Sequence, residues 1–402
     1  MVTLADIQAA RARMGDLVDL TPCDRSQTFS ALTGNSIFFK LENLQMTGSF
    51  KERGALNKML LLSEAERAKG VICASAGNHA QGVSYHATRL GIRSKIVMPW
   101  TAPLVKVAAT SGYGGEVVQS GWNYDEAYAE ALRIRDEEGM TFIHAFDDEA
   151  VIAGQGTIGL ELLEQVAGLE AVVIPIGGGG LIGGIGCAIK ESNPKVRVVG
   201  VEPSVVPSMK EAVAAGECVT LPPARTIADG IGVRRVGKAT LPLAMKYVDE
   251  IVTVDEEDIA NAILLLLERE KTVAEGAGAT STAALLQRKT SLIGKKTVSL
   301  VCGGNIDSIF LSHIIERGLV KDGRIVRLRL QASDHPGVLH AVTGVFAKVR
   351  ANIVSVQHER AYFGVKLGNT VMDFTLETRG PEHVAEVCEA LTNAGYAFER
   401  VH

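Results

Sequence analysis

One lysine and three loops carry the residue types that could do chemistry together. Lys51, in SFKERGA, follows a TGS turn and precedes a helix-like stretch, so we expect it near the start of a helix. The positive end of a helix dipole lowers the pKa of a nearby amine, and a partly buried lysine is the residue type that forms Schiff bases. Because a lone lysine is usually a solvated surface charge, this interpretation depends on the loops that accompany it.

The loops SAGNHAQG and VCGGN place further polar groups at strand ends. The first follows the apolar run GVICA and precedes a helical stretch, and the N–H groups at a helix N-terminus bind anions. Ser75, Asn78 and His79 could hydrogen-bond a carboxylate there, although Asn78 and His79 could instead cap the loop. In the second loop Cys302 offers a thiol, which in most proteins is a small buried apolar group.

The segment AVVIPIGGGGLIGGIGCAIKE predicts a strand, a glycine turn and a helix. Glycines let backbone N–H groups converge on one anion, and the helix N-terminus adds its dipole, so a phosphate fits here. Gly178, Gly180 and Gly183 also form G-x-G-x-x-G, and Glu202 follows about 20 residues later, which matches the dinucleotide fingerprint. A P-loop is excluded because no Gly-Lys-Ser/Thr follows. A tight turn without a ligand is the remaining alternative.

Together these features predict a site for one phosphate, one carboxylate and one reactive amine. Hydride transfer needs no lysine, whereas an enzyme that uses pyridoxal phosphate (PLP) needs all three groups. Two alternatives stay open on the residues alone. An NAD-dependent amino-acid oxidoreductase would use the G-x-G-x-x-G at 178–183 and Glu202, but it leaves Lys51 unexplained. A non-catalytic amino-acid sensor would leave the first 320 residues without a role.

Composition and length limit the classes of protein that this chain can be. At roughly 150 residues per domain, 402 residues suggest two or three domains. The chain is 47% apolar and 22% charged, which excludes disorder, and its net charge of −5 without a long basic run argues against nucleic-acid binding. Six scattered cysteines lack metal-binding spacings and indicate reduced thiols in the cytoplasm. Four glycines interrupt the uncharged stretch 171–189, so we expect no membrane span.

Strand-like and helix-like segments alternate over most of the chain, which predicts an α/β architecture with ligand sites at the carboxyl ends of parallel strands. A polar connector, RGLVKDGR, begins at Arg317, and the tail after it has the order βαββαβ, which is ferredoxin-like. The predicted strands are 70–75, 94–99, 171–176, 196–202 and 297–303, and the predicted helices are Gln81 to Leu90, Tyr124 to Glu138, Ile259 to Glu270 and Thr280 to Gln287.

Five motifs, SFKERGA, SAGNHAQG, GGGGL, DGIGV and VCGGN, occur in an order and with spacings that resemble those of the threonine ammonia-lyase (threonine/serine dehydratase) family. This resemblance implies a PLP enzyme of fold type II, the tryptophan-synthase-β-like group. Its two-lobed catalytic region would cover residues 1–320, with a small lobe at about 54–152 inserted in the large lobe. The tail, 325–402, resembles an ACT domain, which is a small-molecule regulatory module.

The resemblance also implies roles for individual residues. Lys51 would bind PLP covalently and later remove the Cα proton of the substrate, and Phe50 would pack beside the PLP ring. Asn78 would bond the phenolic oxygen of PLP, and Cys302 would face the pyridine nitrogen, where a thiol favours loss of a β-leaving group over transamination. The implied phosphate loop is Gly177, Gly178, Gly179, Gly180 and Leu181, and the implied substrate-carboxylate loop is Ser75, Ala76, Gly77, Asn78 and His79.

The implied reaction converts L-threonine to 2-oxobutanoate and ammonia, with L-serine giving pyruvate, and a preference for serine or 3-hydroxyaspartate stays open. Two positions depart from the family pattern. Ala76 replaces a serine that serves related racemases as a base on the opposite face, so we expect elimination to dominate racemisation. Ser208 stands where relatives with a divalent-metal site carry an acid, so Glu202 is a candidate for a monovalent cation only.

In the tail, Asp334, Gly337 and Val338 predict a turn into a helix N-terminus that could receive an amino-acid carboxylate. By resemblance, ACT ligands bind between paired domains, so Asn352 is the expected contact from the partner side. Isoleucine or valine is the expected effector, and a homodimer or homotetramer is the expected assembly. A tail that only dimerises is the alternative.

Overall fold

The first 306 residues build two sheets, and the tail builds a third. The structure is a computed structural model that describes residues 1–359 and 367–401. The chain divides into two units, Met1–Ile306 and Asp307–His402. The strands of the first unit are β1 (Cys23–Ser26), β2 (Ser36–Leu41), β3 (Val71–Ala74), β4 (Ser94–Met98), β5 (Glu116–Gln119), β6 (Thr141–Phe142), β7 (Ala171–Pro175), β8 (Arg197–Pro203), β9 (Glu250–Val254) and β10 (Lys296–Val301).

The strands of the first unit form one sheet of six and one sheet of four. The larger sheet has the order β1-β2-β10-β7-β8-β9 and is parallel except for the β1–β2 pair, and the smaller sheet, β5-β4-β3-β6, is parallel throughout. All residues of β3 and β7 are buried, as continuous apolar runs in a parallel sheet require. The α/β prediction is therefore confirmed. The smaller sheet interrupts the larger one in sequence, between β2 and β7.

Helices connect the strands, and several begin earlier than their apolar periodicity predicts. The helix predicted from Gln81 begins at Asn78, and the one predicted from Thr280 begins at Gly276, because each opens with glycine-rich or polar residues that lie at the site. The helices of the first unit are α1 (Leu4–Met14), α2 (Gln27–Thr33), α3 (Lys51–Leu60), α4 (Glu64–Lys69), α5 (Asn78–Arg89), α6 (Leu104–Gly112), α7 (Tyr124–Glu138), α8 (Glu149–Gln165), α9 (Gly180–Ser192), α10 (Ser208–Ala215), α11 (Thr240–Tyr247), α12 (Glu256–Leu265) and α13 (Gly276–Leu286).

A buried ionic network holds α3 against its neighbours. Arg53 is fully buried on α3 and donates to both carboxylate oxygens of Glu42 and of Glu161 on α8, over 2.5 to 3.0 Å. Lys40 of β2 donates to the same Glu161 at 2.6 Å. Two cations thus balance two carboxylates, so no charge in the network is left uncompensated. The network fixes the helix on which Lys51 is the first residue.

The second unit has the predicted βαββαβ order behind an additional helix. Its sheet is antiparallel with the order β12-β13-β11-β14, and its apolar side chains, among them Leu328, Phe346 and Phe374, form one core. The elements are α14 (Ser308–Lys321), β11 (Ile325–Ser333), α15 (Val338–Lys348), β12 (Asn352–Glu359), β13 (Asn369–Glu377), α16 (Pro381–Asn393) and β14 (Ala397–Val401).

The prediction of a polar connector from Arg317 is wrong. Residues 317–321 form the last turns of α14, and only 322–324 connect it to β11. Asp307 caps this helix by accepting from the N–H groups of Ile309 and Phe310. This cap and apolar residues at helical spacing carry the helix through this segment, with Arg317 and Lys321 on its exposed face. The uncharged stretch 171–189 is β7, a loop and most of α9, and the described residues contain no helix that could cross a membrane.

Candidate active site

Lys51 lies where the predicted motifs meet, as the first residue of α3. Its Nζ donates to the carbonyl oxygen of Ala145 at 2.8 Å and lies 5.3 Å from the centre of the Phe50 ring. Burial lowers the pKa of this amine to about 8. The backbone N–H of Phe50 donates to the carbonyl oxygen of Cys302, which ties the start of α3 to the end of β10. An amine with this pKa supplies a neutral nucleophile near neutral pH.

The loop from Ser75 to His79 follows β3 and turns into α5. The Ser75 hydroxyl accepts the N–H of Gly77, and Asn78 is the first residue of the helix. His79 is buried, with Nε2 at 2.8 Å from the carbonyl oxygen of Ile143. Burial, followed by the charge of Lys51, lowers its pKa to about 3, so the ring is neutral.

This geometry corrects the expected role of the His79 side chain. A carbonyl oxygen only accepts, so Nε2 carries the proton of the neutral ring and Nδ1 is an acceptor. Nδ1 is buried and has no donor among the described residues. The His79 side chain therefore cannot donate to a substrate carboxylate. The donors that remain at this loop are the N–H groups of the first turn of α5 and the Ser75 hydroxyl.

Asn78 belongs to a hydrogen-bonded set with Asn305, the last residue of VCGGN, and with Glu275, which lies in none of the motifs. Its Nδ2 donates to Oε1 of Glu275 at 2.6 Å, and its Oδ1 accepts from Nδ2 of Asn305 at 2.8 Å. Burial, and then the charge of Asp229, raises the pKa of Glu275 to about 7. Sequence reasoning missed Glu275 because no motif contains it and it lies 197 residues from Asn78 in the chain.

The glycine loop between β7 and α9 leaves no room for side chains. A Cβ on Gly178 would lie 2.2 Å from the Phe146 ring, and one on Gly180 would lie 2.9 Å from the Phe146 carbonyl oxygen. Gly179 has a φ of +93° and precedes the first residue of α9, and Gly177 and Leu181 flank it. The loop thus joins the end of a strand to the N-terminus of a helix and has no side chains in the way. Its backbone N–H groups suit a phosphate group.

Cys302 and Ser49 line the same region. Burial raises the pKa of the Cys302 thiol well above its usual range, so the group is neutral. Ser49 pairs with Gly303 across an isolated bridge, and its hydroxyl is buried without a partner among the described residues. A buried, unsatisfied hydroxyl, a neutral thiol and a lysine with a lowered pKa form a donor set for a polar ligand that enters this space.

One segment that the sequence motifs did not mark, 143–148 after β6, joins the parts of the site. Its carbonyl oxygens accept from His79 and Lys51, and Phe146 covers the glycine loop. Asp147 accepts from the N–H groups of residues 238 and 239. The only signals in the sequence were the two aspartates and the histidine in IHAFDD, since β6 itself has two residues.

Glu202 has a role in the protein's own structure. Its two carboxylate oxygens accept from the N–H groups of Met209 and Lys210 at 2.7 and 2.9 Å, which satisfies the first turn of α10. The described residues hold no group of three or more His, Cys, Asp or Glu that could bind a metal ion. A monovalent cation at Glu202 remains a prediction.

The expected effector residues lie in the second unit. Gly337 has a φ of +94° and precedes Val338, the buried first residue of α15. The N–H of Asp334 donates to the carbonyl oxygen of Gly368. Asn352, the first residue of β12, is exposed and donates to Glu377 at 3.2 Å. The segment thus has the expected turn and helix start.

The site of the first unit fits a ligand with an aldehyde, a ring and a phosphate. The amine of Lys51 suits the aldehyde, the bare loop 177–180 suits the phosphate, and Asn78 and Cys302 offer neutral polar groups to a ring. These are the functional groups of PLP.

Comparison with known proteins agrees with this reading of the residues. The sequence profile of the family described as pyridoxal-phosphate dependent enzymes matches residues 16–303. This chain therefore belongs to the pyridoxal-phosphate-dependent enzymes.

Its relatives within that family include L-threonine ammonia-lyase from Thermotoga maritima, which is 47% identical over 396 residues and 98% of both chains. The catabolic L-threonine dehydratase of Escherichia coli is 47% identical over 315 residues, 78% of this chain and 96% of the relative. Among solved structures, the processed form of threonine deaminase isoform 2 from Solanum lycopersicum has a TM-score of 0.75 and 38% identity, over 78% of this chain and 91% of that chain. Maize serine racemase has a TM-score of 0.75 and 36% identity, over 80% and 98%.

Proposed function

We propose that this chain is an ammonia-lyase that converts L-threonine to 2-oxobutanoate and ammonia, and L-serine to pyruvate more slowly. The observation that carries the proposal is the buried, hydrogen-bonded Lys51, with a pKa lowered to about 8, at the meeting point of the glycine loop, the Ser75–His79 loop and Cys302. A full-length relative named L-threonine ammonia-lyase supports the substrate. Serine and 3-hydroxyaspartate are the alternative preferred substrates.

The residues proposed to hold PLP lie on or next to four elements of the first unit, α3, α5, α9 and β10. When bound, PLP supplies the electron sink that makes the Cα–H bond of an amino acid acidic. Lys51 would hold it covalently, and the N–H groups at the start of α9 would hold its phosphate. The full set is Phe50, Lys51, Asn78, Gly177, Gly178, Gly179, Gly180, Leu181 and Cys302.

We propose that Lys51 is the catalytic base. Its neutral amine takes the proton from the substrate Cα, since its lowered pKa lets it accept and release a proton near neutral pH. The substrate carboxylate binds the N–H groups at the start of α5 and the Ser75 hydroxyl. The β-hydroxyl leaves and takes up one proton to form water, which balances the proton removed from Cα. The enamine that remains tautomerises and, with one water, hydrolyses to 2-oxobutanoate and ammonia.

Two neutral side chains direct the outcome. The thiol of Cys302 keeps its proton, so it does not force a positive charge onto a neighbouring ring nitrogen, and elimination is favoured over transamination. Ala76 offers no base on the face opposite Lys51, so racemisation is disfavoured.

The carboxylate of Glu202 accepts two backbone N–H groups, which argues against its use on the ribose of a dinucleotide.

We propose that the tail is an ACT-type regulatory domain that binds isoleucine or valine near Gly337, with Asn352 contributed from a paired copy. The N-terminus of α15 behind Gly337 supports the position of the carboxylate. Pairing requires a homodimer or homotetramer. Six cysteines without disulfides among the described residues support a cytoplasmic location. Isothermal titration with each amino acid tests the effector, and no heat with either one contradicts it.

Fixation of PLP onto the chain tests the main proposal. Borohydride makes a lysine–aldehyde linkage permanent, and peptide mass spectrometry then locates the modified residue. We expect a yellow protein whose modification falls on Lys51 and is absent from Lys51→Ala. A colourless protein that binds NADH would favour the oxidoreductase alternative instead.

A further inference from the structure

The orientation of the Asn78 carboxamide is fixed by a chain of hydrogen bonds that begins at the backbone. The carbonyl oxygen of Thr47 only accepts, so Asn305, at 2.8 Å, must present its Nδ2 there. The second N–H of that nitrogen donates to Oδ1 of Asn78 at 2.8 Å. Asn78 therefore presents its Nδ2 to Glu275, which accepts at 2.6 Å.

One hydrogen of Asn78 is left over by this arrangement. The Nδ2 of Asn78 carries two hydrogens, and Glu275 takes one of them. Within 1–359 and 367–401 no other residue accepts from this nitrogen. The remaining N–H is therefore the single donor that Asn78 can offer to a ligand.

Glu275 is itself held rigidly. It directly precedes α13, and its N–H donates to the carbonyl oxygen of Gly303 at 3.0 Å. A Cβ on Gly303 would lie 2.4 Å from Oε1 of Glu275, so the carboxylate lies directly against this backbone. The residue is 5% exposed. It thus cannot turn away from Asn78 without losing its packing.

The charged and titratable groups that act on Glu275 come from every side of the site. Asp229 raises its pKa in addition to burial, whereas Lys106 and Lys51 lower it, and the carboxylate in turn raises the pKa of Cys302. The hydrogen bond from Asn78 also favours the ionised form. With a pKa of about 7, Glu275 accepts from Asn78 as a carboxylate above neutral pH and as a carbonyl oxygen below it.

We propose that Glu275 is a positioning residue that acts through Asn78, holding its carboxamide so that the one remaining N–H is reserved for the cofactor. The inference rests on the proposed PLP-dependent function and deepens it. Among the described residues, the side-chain hydrogen bond of Glu275 goes to Asn78 and not to Lys51 or Cys302, so an effect on cofactor binding that passes through this bond must disappear when Asn78 is removed. A purely structural role would not give that dependence.

A double-mutant cycle on PLP binding tests this dependence. Cofactor-free full-length protein is titrated with PLP, and the visible absorbance gives an apparent Kd for wild type, Glu275→Ala, Asn78→Ala and the double variant. We expect each single variant to bind about tenfold more weakly. The double variant should match Asn78→Ala within about twofold. A loss in the double variant near a hundredfold, the product of two independent effects, overturns the proposal, as does wild-type affinity in Glu275→Ala.

Two further variants keep the test decisive. Glu250→Ala removes a carboxylate at the start of β9, away from the carboxyl ends of the strands, and should bind PLP like wild type. If Glu275→Ala does not fold, Glu275→Gln carries the test, because it keeps an acceptor for Asn78 and should bind within about threefold of wild type. A tenfold loss in Glu275→Gln overturns the positioning role. Failure of the wild type to bind PLP contradicts the proposed function instead.

Discussion

The two units differ in what they bury. The first unit buries charged side chains at and behind its site, including Lys40, Glu42, Arg53, Glu202 and Glu275. The described residues of the second unit bury an apolar core and only three polar side chains, Thr370, Thr378 and His383. Buried charges cost stability unless they are paired, so they are found where they hold or perform chemistry. Among the described residues, the interior of the first unit thus holds buried charges, whereas that of the second unit is mainly apolar packing.

The largest effect on stability should follow from breaking the ionic network of the first unit. Arg53→Met leaves two buried carboxylates, Glu42 and Glu161, with only Lys40 as partner. We expect the unfolding free energy of α3 and α8 to fall by about 3–5 kcal/mol. Amide hydrogen exchange with mass spectrometry measures this loss element by element. Unchanged protection in α3 would contradict a structural role for the network.

Truncation of a core side chain in the second unit provides the measurement to compare with Arg53→Met. Leu328→Ala removes a fully buried side chain from the apolar core of β11. We expect a loss of about 2–4 kcal/mol from the cavity and the lost burial. Hydrogen exchange should place it in the strands of the tail sheet. A larger loss than that of Arg53→Met would remove the difference between the two interiors.

A smaller effect is expected at the glycine loop. Gly178→Ala sets a Cβ 2.2 Å from the Phe146 ring, so we expect a cost of about 1–3 kcal/mol from the forced movement. Gly112→Ala is the matched control, since a Cβ there meets nothing within 4 Å. Thermal unfolding of both variants tests the difference. Equal melting temperatures would show that the loop can move aside.

The smallest effect concerns Lys51 in the cofactor-free protein. Folding lowers its pKa to about 8 from an ordinary value of 10.5, so between those pH values the unfolded chain holds one proton more. The free energy of unfolding therefore rises with pH between about 8 and 10.5 because of this group. Below that range, the burial of the charged amine lowers the free energy of unfolding by a constant amount. This pKa change corresponds to a cost of about 3 kcal/mol, which Lys51→Met removes. Because the variant also leaves the Ala145 carbonyl oxygen without its donor, we expect a net gain of about 1–2 kcal/mol at pH 7. Urea unfolding at pH 7 and 10 checks it, and an equal gain at both pH values contradicts the assignment.

Local patterns predicted the elements of the fold and the motif residues of the site. Apolar runs predicted β7 and β10, and clustered glycines predicted the loop before α9. Lys51 lies at the start of a helix, as its sequence context predicts. Non-local contacts could not be predicted in this way. Glu275 and the segment 143–148 reach the site from distant parts of the chain, and neither carries a periodic pattern.

Glu202 and His79 illustrate the same limit of local patterns. Glu202 matched the spacing of a ribose-binding acid, but its oxygens accept from the start of α10. His79 is a polar residue in the loop predicted to bind the substrate carboxylate, but the Ile143 carbonyl oxygen accepts the one N–H of its neutral ring. Residue type and spacing give a side chain's position along the chain, while its partners, and so its donor or acceptor state, are set by tertiary packing.

The central claim is that Lys51 makes the first unit a threonine ammonia-lyase. The most direct measurement follows 2-oxobutanoate and ammonia from L-threonine, with saturating PLP, for wild type and Lys51→Ala. We predict equal amounts of both products from the wild type and a fall in turnover of roughly a thousandfold or more in the variant. Product formation by the variant at the wild-type rate would contradict the account, and so would a wild type that releases neither product.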